Sequence, residues 1–169
     1  GKGRRIGFFP GSTIGNLDRA EAVAFLPQAR ARLGKESLFI LGTDLVKDAE
    51  TLVAAYDDAQ GVTAAFNMNL LVRANRDLGA DFDLDRFQHR AVWNQADSRM
   101  EMHLVSTVDQ IVTIDGQGFD FKAGESIHTE SSRKFTPESV HALAEASGWQ
   151  VCWVETSPEP SVAITLLKA

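Results

Sequence analysis

The chain has 169 residues, 44% hydrophobic and 24% charged, and its 17 basic against 23 acidic side chains leave a net charge of −6. That length suits one ordinary domain, able to bury roughly 68–70% of its unfolded surface. The acidic balance argues against a nucleic-acid backbone as partner, no apolar run is long enough to span a bilayer, and a single cysteine, Cys152, excludes an internal disulfide or a thiolate metal cluster.

A small molecule is therefore the expected partner, with no nucleic acid and no membrane. The apolar run around Cys152 predicts a buried thiol in a reducing, cytoplasmic compartment. The opening GKGRRIGFFP has basic residues but neither the apolar stretch nor the cleavage site of a signal peptide.

Gly7-Phe8-Phe9 reads as the end of a buried strand, stopped by Pro10 and Gly11. Asp18 and Glu21 have capping-box spacing, and Ala20, Val23, Ala24, Leu26, Ala31 and Leu33 recur helically until Gly34, with Pro27 expected to kink the helix. Ser37 to Gly42 is a continuous apolar run, as in a strand of a parallel sheet covered on both faces. This is the strand, loop, helix, strand unit of an open α/β sheet, in which ligands sit at the carboxyl ends of strands. The Gly11–Asn16 loop and Thr43-Asp44 both fall at such ends.

From Lys47 the pattern changes. One helix is expected around Ala49 to Tyr56 and a second from Thr63 to Leu78, closed by Gly79. Extended segments follow at Arg90–Asn94 and Arg99–Val108, the latter alternating Met100, Met102 and Leu104 against Glu101, His103 and Val105. Asp115-Gly-Gln-Gly118 is a turn, and Ser126 to Phe135 is a further extended stretch or loop. Residues 47–136 thus read as an inserted α+β substrate-binding subdomain, with 1–46 and 137–169 forming the α/β core. Thr136 with Pro137 starts the next helix, which runs through Val140, Leu143 and Ala144 to a stop at Ser147-Gly148. Val151–Glu155 reads as a buried strand, Ser157–Pro160 as a forced turn and Ser161–Leu167 as the last strand, so the final two strands must be antiparallel neighbours. A sheet ending in this way resembles the end of a class I, Rossmann-like methyltransferase sheet.

Four blocks carry a more specific resemblance: FFPGSTIGN at 8–16, LVAAYDD at 52–58 with AFNMNLL at 65–71, FQHRAVWN at 87–94, and IHTESSRKF at 127–135. In this order they resemble the S-adenosylmethionine-dependent L-histidine Nα-methyltransferases of ergothioneine biosynthesis. The resemblance spans nearly the whole chain but only the C-terminal part of the family's architecture. It implies a methyltransferase core with a family-specific substrate domain, S-adenosylmethionine as co-substrate, and trimethylation of the α-amino group of histidine to hercynine. The Gly-rich turn and acidic strand end that hold the cofactor in such proteins have no counterpart before Phe8, so cofactor-binding residues are not identified. The expectation is a fragment or one chain of a split protein. Alone, it should bind cofactor poorly and be inactive, and its exposed sheet edge is open to pairing with another copy.

Methyl transfer from a sulfonium needs positioning more than covalent help. The resemblance implies that Asn16 and Tyr56 hold the amino and carboxylate end of the amino acid, that Glu130 and Ser132 read the imidazole, and that Gly11 belongs to the same substrate site. Their chemistry agrees. An amide both accepts from an amine and donates to a carboxylate, a phenol donates without adding charge, and a carboxylate accepts from an imidazole N–H. Met102 is a candidate soft wall for the ring. By residue type alone, Asn16 is equally a turn residue, Tyr56 an ordinary helix aromatic, the Glu130–Ser132 stretch a solvated turn and Met102 core. His89, His103, His128 and His141 lack metal-ligand spacing, so no metal is expected, with His103 or His128 as a general base left open. The Ser12 loop has neither the spacing of a hydrolase elbow nor the lysine of a phosphate loop. Two other readings remain at this stage, an N-methyltransferase for another amino acid and a non-catalytic binding domain.

Overall fold

A computed structural model of the chain describes residues 3–158 and 161–169, and it divides into two compact units. The first comprises 1–47, 95–99 and 131–169; the second comprises 48–94 and 100–130. The turn expected at Ser157–Pro160 lies partly outside the described residues.

In the first unit, β1 (Ile6–Phe9) pairs in parallel with β2 (Leu38–Asp44) through the helix α1 (Arg19–Leu33). Downstream of this unit, the second contributes α2 (Ala49–Tyr56), α3 (Val62–Leu78) and the strands β3 (Phe87–Asn94), β4 (Arg99–Ser106), β5 (Gln110–Ile114), β6 (Gln117–Phe121) and β7 (Ser126–Arg133), whose residue Arg99 and residues 131–133 group with the first unit. The chain then returns through α4 (Pro137–Ala146), β8 (Gln150–Thr156) and β9 (Val162–Lys168). The sheet of the first unit has the order β1-β2-β9-β8, and β9 runs antiparallel to both neighbours. Only the β1–β2 pair is parallel, so the run at 37–42 is not part of a wholly parallel sheet.

Local signals explain the helices. Asp18 accepts from the Glu21 amide at 2.7 Å while Glu21 accepts from the Asp18 amide at 2.8 Å, closing the capping box of α1. Thr136 and Ser139 cap α4 in the same reciprocal way, with Pro137 in its first turn. Gly79 ends α3 in the left-handed conformation at φ 60°. The helix α1 runs unbroken through Pro27.

One face of the first sheet is buried and the other is not. Phe39, Leu41 and Thr43 pair with Leu167, Thr165 and Ala163, and all six are buried. The core also takes in Ile14, Leu26, Phe135 and Val140. Trp149 packs tilted against Phe39, ring centroids 5.5 Å apart, and donates its indole N–H to the Leu26 carbonyl at 2.9 Å. The opposite face carries Ile6 and Phe8, 58% and 68% exposed, with Ile164 and Trp153 at 49% and 50%.

These values correct several sequence expectations. At the end of β1 only Phe9 packs on the core, half-buried, while Phe8 is exposed; β2 is not sealed on both faces, and β8 is an exposed edge strand. Cys152 is exposed as well, because the register of β8 against β9 shifts between Val151 and Trp153 on that edge. On α1 the buried positions are Ala22 and Leu26, with Phe25, Ala29 and Leu33 packed beside them, whereas Ala20, Ala24 and Ala31 face solvent.

The second unit holds its own core of Leu71, Phe82, Phe87, Leu104 and Val112, with Phe121 packed edge-on to Phe87. Its three-stranded sheet has the order β3-β4-β7, and β5 pairs with β6 as a hairpin. Asp115 and Gly116 form that hairpin's turn at φ 48° and 78°. The strands β5 and β6 were not expected from sequence, since QGFDF carries glycine and aspartate at strand positions. The stretch left as strand or loop at 126–135 is strand through Arg133.

Candidate functional site

The FFPGSTIGN loop folds as a 3₁₀ turn over Thr13–Asn16, entered through Gly11 and Ser12 at φ 67° and 55°. A left-handed serine is uncommon, and here it aims a hydroxyl: Ser12 Oγ accepts from the Asp44 amide at 2.8 Å. The loop is thereby pinned to the carboxyl end of β2. Gly15 is buried against the end of β7, and a Cβ there would lie 2.7 Å from the Arg133 carbonyl oxygen. Asn16 closes the turn and is exposed.

The end of β7 is laced to the end of β2 inside the same unit. The Phe135 amide donates to the Asp44 carbonyl and the Val46 amide to the Phe135 carbonyl, both at 2.9 Å. Lys134 is buried between them, its side chain only 1% exposed, with Nζ 2.9 Å from Asp44 Oδ2 and 2.9 Å from Ser132 Oγ. Lys47 Nζ is hydrogen-bonded to Asp44 Oδ1. Burial alone would push the Asp44 carboxyl up, but the hydrogen bonds and charges of Lys47 and Lys134 outweigh it and hold the group below the usual carboxylate range. Asp44 is thus tied to Ser132 through Lys134 and to Ser12 through its own amide.

In the second unit Tyr56 is the last residue of α2, and its carbonyl accepts from His89 Nε2 at 2.8 Å. The buried Asn67 amide reaches His89 Nδ1 at 3.0 Å and the His103 carbonyl at 3.2 Å. A carbonyl cannot donate, so Asn67 must present its NH₂ there, which assigns the His89 ring proton to Nε2. Two of the quoted blocks, AFNMNLL and FQHRAVWN, thereby meet at the Tyr56 backbone. Glu130 is half-buried on β7, and Met102 is buried on β4, opposite in the strand's alternation to Glu101 and His103.

His103 and His128, which looked scattered in sequence, come together. Their rings stack at 4.8 Å with planes 19° apart, and Glu101 Oε2 lies 3.2 Å from His103 Nε2. The three residues offer donor atoms within 4.8 Å of one another. Ring lone pairs lie in the ring planes, so two nearly parallel rings cannot both point at one ion unless one turns.

The structure brings Gly11, Asn16 and Ser132 into the first unit, whereas Tyr56, Met102 and Glu130 belong to the second. Lys134 and Lys47 were missed, and Asp44 was noted only for its place at the end of a strand. The signal for Lys134 was its standing two residues after Ser132, and a lysine is ordinarily read as solvated.

A mixed sheet with this strand order, carrying a polar cluster at the carboxyl end of β2, is consistent with part of a Rossmann-like fold. The fold is shared with the CcbJ methyltransferase from Streptomyces caelestis, at a TM-score of 0.51 and 13% identity over 100% of this chain and 63% of that one. The family described as histidine-specific methyltransferase, SAM-dependent, matches residues 1–169, and the chain belongs to it. It is 51% identical over 154 residues to a histidine N-alpha-methyltransferase of Mycolicibacterium smegmatis, covering 89% of this chain and 48% of the relative. A histidine N-alpha-methyltransferase of Mycobacterium tuberculosis is 49% identical over 148 residues, 86% of this chain and 46% of the relative. The chain spans about half the length of these curated relatives. No helix among the described residues is long and apolar enough to cross a membrane.

Proposed function

We propose that this chain supplies the acceptor-binding part of an S-adenosylmethionine-dependent histidine Nα-methyltransferase, which trimethylates L-histidine to hercynine in ergothioneine biosynthesis. The family match over all 169 residues carries the reading. S-adenosylmethionine supplies an electrophilic sulfonium methyl, and the protein must hold a neutral amine in line with it. Asn16 and Tyr56 are assigned the amino and carboxylate end, with Gly11 in the same loop as Asn16. Glu130 and Ser132 are assigned the imidazole, and Met102 an apolar wall. The left-handed Ser12, tied to Asp44, supports the loop assignment, since a strained backbone persists only where its surroundings impose it. A cytoplasmic location is part of the same proposal, since it suits small-molecule biosynthesis of this kind.

The test is a kinetic split in the complete enzyme. Glu130→Ala is expected to raise KM for histidine far more than KM for the methyl donor, because a site built to hydrogen-bond a polar ring loses that discrimination when its acceptor is removed. Equal effects on both substrates would show that Glu130 is not a histidine contact. In a competition assay, preference for an amino acid without an imidazole would redirect the assignment to another substrate.

A further inference from the structure

Lys134 is used by no reading of the chemistry, yet it is the most deeply buried ionisable side chain of the first unit's polar cluster, 1% exposed against 11% for Lys47 and 22% for Asp44. A buried ammonium is costly to keep, and an apolar residue of the same length would fill the space at less cost. What an apolar residue cannot do is donate. Lys134 Nζ sits 2.9 Å from Ser132 Oγ and 2.9 Å from Asp44 Oδ2, while its own amide donates to the Ser98 carbonyl at 2.7 Å. Backbone and head group are therefore both fixed. An ammonium has no acceptor, so Ser132 Oγ must accept from it and the hydroxyl hydrogen must point elsewhere.

The anchor is shared. The Asp44 carboxylate that holds Lys134 belongs to the residue whose amide holds Ser12, at the entrance of the loop carrying Asn16. We infer that Lys134 is a positioning residue for substrate recognition: held by Asp44, it sets the place and rotor of Ser132 and keys that hydroxyl to the strand end that fixes the Ser12–Asn16 loop. This rests on the assignment of Ser132 as a histidine contact. No proton or methyl passes through Lys134. Its contribution is geometric, acting through Ser132, and it belongs on the acceptor's KM rather than on the donor's.

The experiment uses the complete enzyme with histidine and S-adenosylmethionine, and compares Lys134→Met, Ser132→Ala and the double variant, each checked for a native unfolding transition. Lys134→Met is expected to raise KM for histidine about tenfold, the effect of one lost charge-assisted hydrogen bond, with the donor's KM within about twofold of wild type. The double variant is expected to be no worse than Ser132→Ala, because both changes remove the same contact. An unchanged histidine KM in Ser132→Ala would overturn the assignment of Ser132 and this inference with it. A raised KM in Ser132→Ala with a wild-type KM in Lys134→Met, or additive losses in the double variant, would overturn the inference alone. If Lys134→Met does not fold, Asp44→Asn replaces it. That change keeps the backbone bond to Ser12 and removes the charge anchoring Lys134, so a wild-type histidine KM there overturns the inference and a raised one, absent in the Ser132→Ala background, supports it.

Discussion

Gly15→Ala adds one methyl group where the structure has no room for it. Gly15 is buried and is not among the residues of positive φ, so the substitution introduces no backbone strain of its own. The new Cβ would stand 2.7 Å from the Arg133 carbonyl oxygen and 3.3 Å from its amide nitrogen, where ordinary contact begins at 3.4 Å. About 0.7 Å must be found in backbone, not in a side chain that can swing aside. Overpacking of this kind costs about 1–3 kcal/mol. At about 2–4 °C per kcal/mol for a chain of this size, Tm falls by about 2–12 °C. The relief has two routes, and both damage the site. Either the 3₁₀ turn lifts, stretching the bond from the Asp44 amide to Ser12, or the end of β7 shifts, carrying Ser132 and Lys134 with it. Thermal unfolding followed by circular dichroism reads the first effect, with Gly3→Ala as a control whose Cβ meets nothing within 4 Å. Histidine KM in the complete enzyme reads the second. A Gly15→Ala protein with the Tm and histidine KM of wild type would refute the packing argument.

Two further outcomes follow from particular contacts. Asp58 accepts from the Thr63 amide at 2.8 Å and the Val62 amide at 3.1 Å at the start of α3, and the backbone and side-chain hydrogen bonds of Thr63, with that of Val62, lower its carboxyl from 3.8 to about 2. A depressed folded-state pKa stabilises above the unfolded value and loses that contribution as pH falls through the folded one. Asp58→Asn should therefore flatten the acid limb of stability between about pH 4 and pH 2, the variant being less stable than wild type at neutral pH and nearly equal to it below pH 2, as an acid titration of unfolding will show. Pro27 sits in the middle of an unbroken α1 and has no amide to give the carbonyl four residues earlier. Pro27→Ala restores that donor and removes a ring clash, so Tm should rise by several degrees; an unchanged or lower Tm would show that the proline is accommodated without cost.

Where a structural signal is local, the chain announces it. The Asp18/Glu21 box, the Thr136-Pro137 start, Gly79 and the Asp115-Gly116 turn act over a few residues and lie where expected. The antiparallel pairing of β8 and β9 followed from a connection too short for a crossover. The family was legible as four blocks in order, because a motif is carried by side-chain identity and not by packing.

Burial and partnership were decided elsewhere. Nothing in IGFF or VCWVE says which face will be covered, because that depends on what packs over the sheet, and Phe8, Cys152 and Trp153 are exposed for that reason. His103 and His128 stand 25 positions apart and meet only because β4 and β7 share a sheet. Lys134 illustrates the same division. Its sequence neighbours show a lysine beside a serine, whereas its role depends on Asp44, far back in the chain, arriving at the same strand end. Composition and short-range spacing determined most of the elements and their caps. Only the tertiary structure could bring a carboxylate to an ammonium with water excluded, and it is that exclusion which turns an ordinary surface residue into a fixed donor beside Ser132.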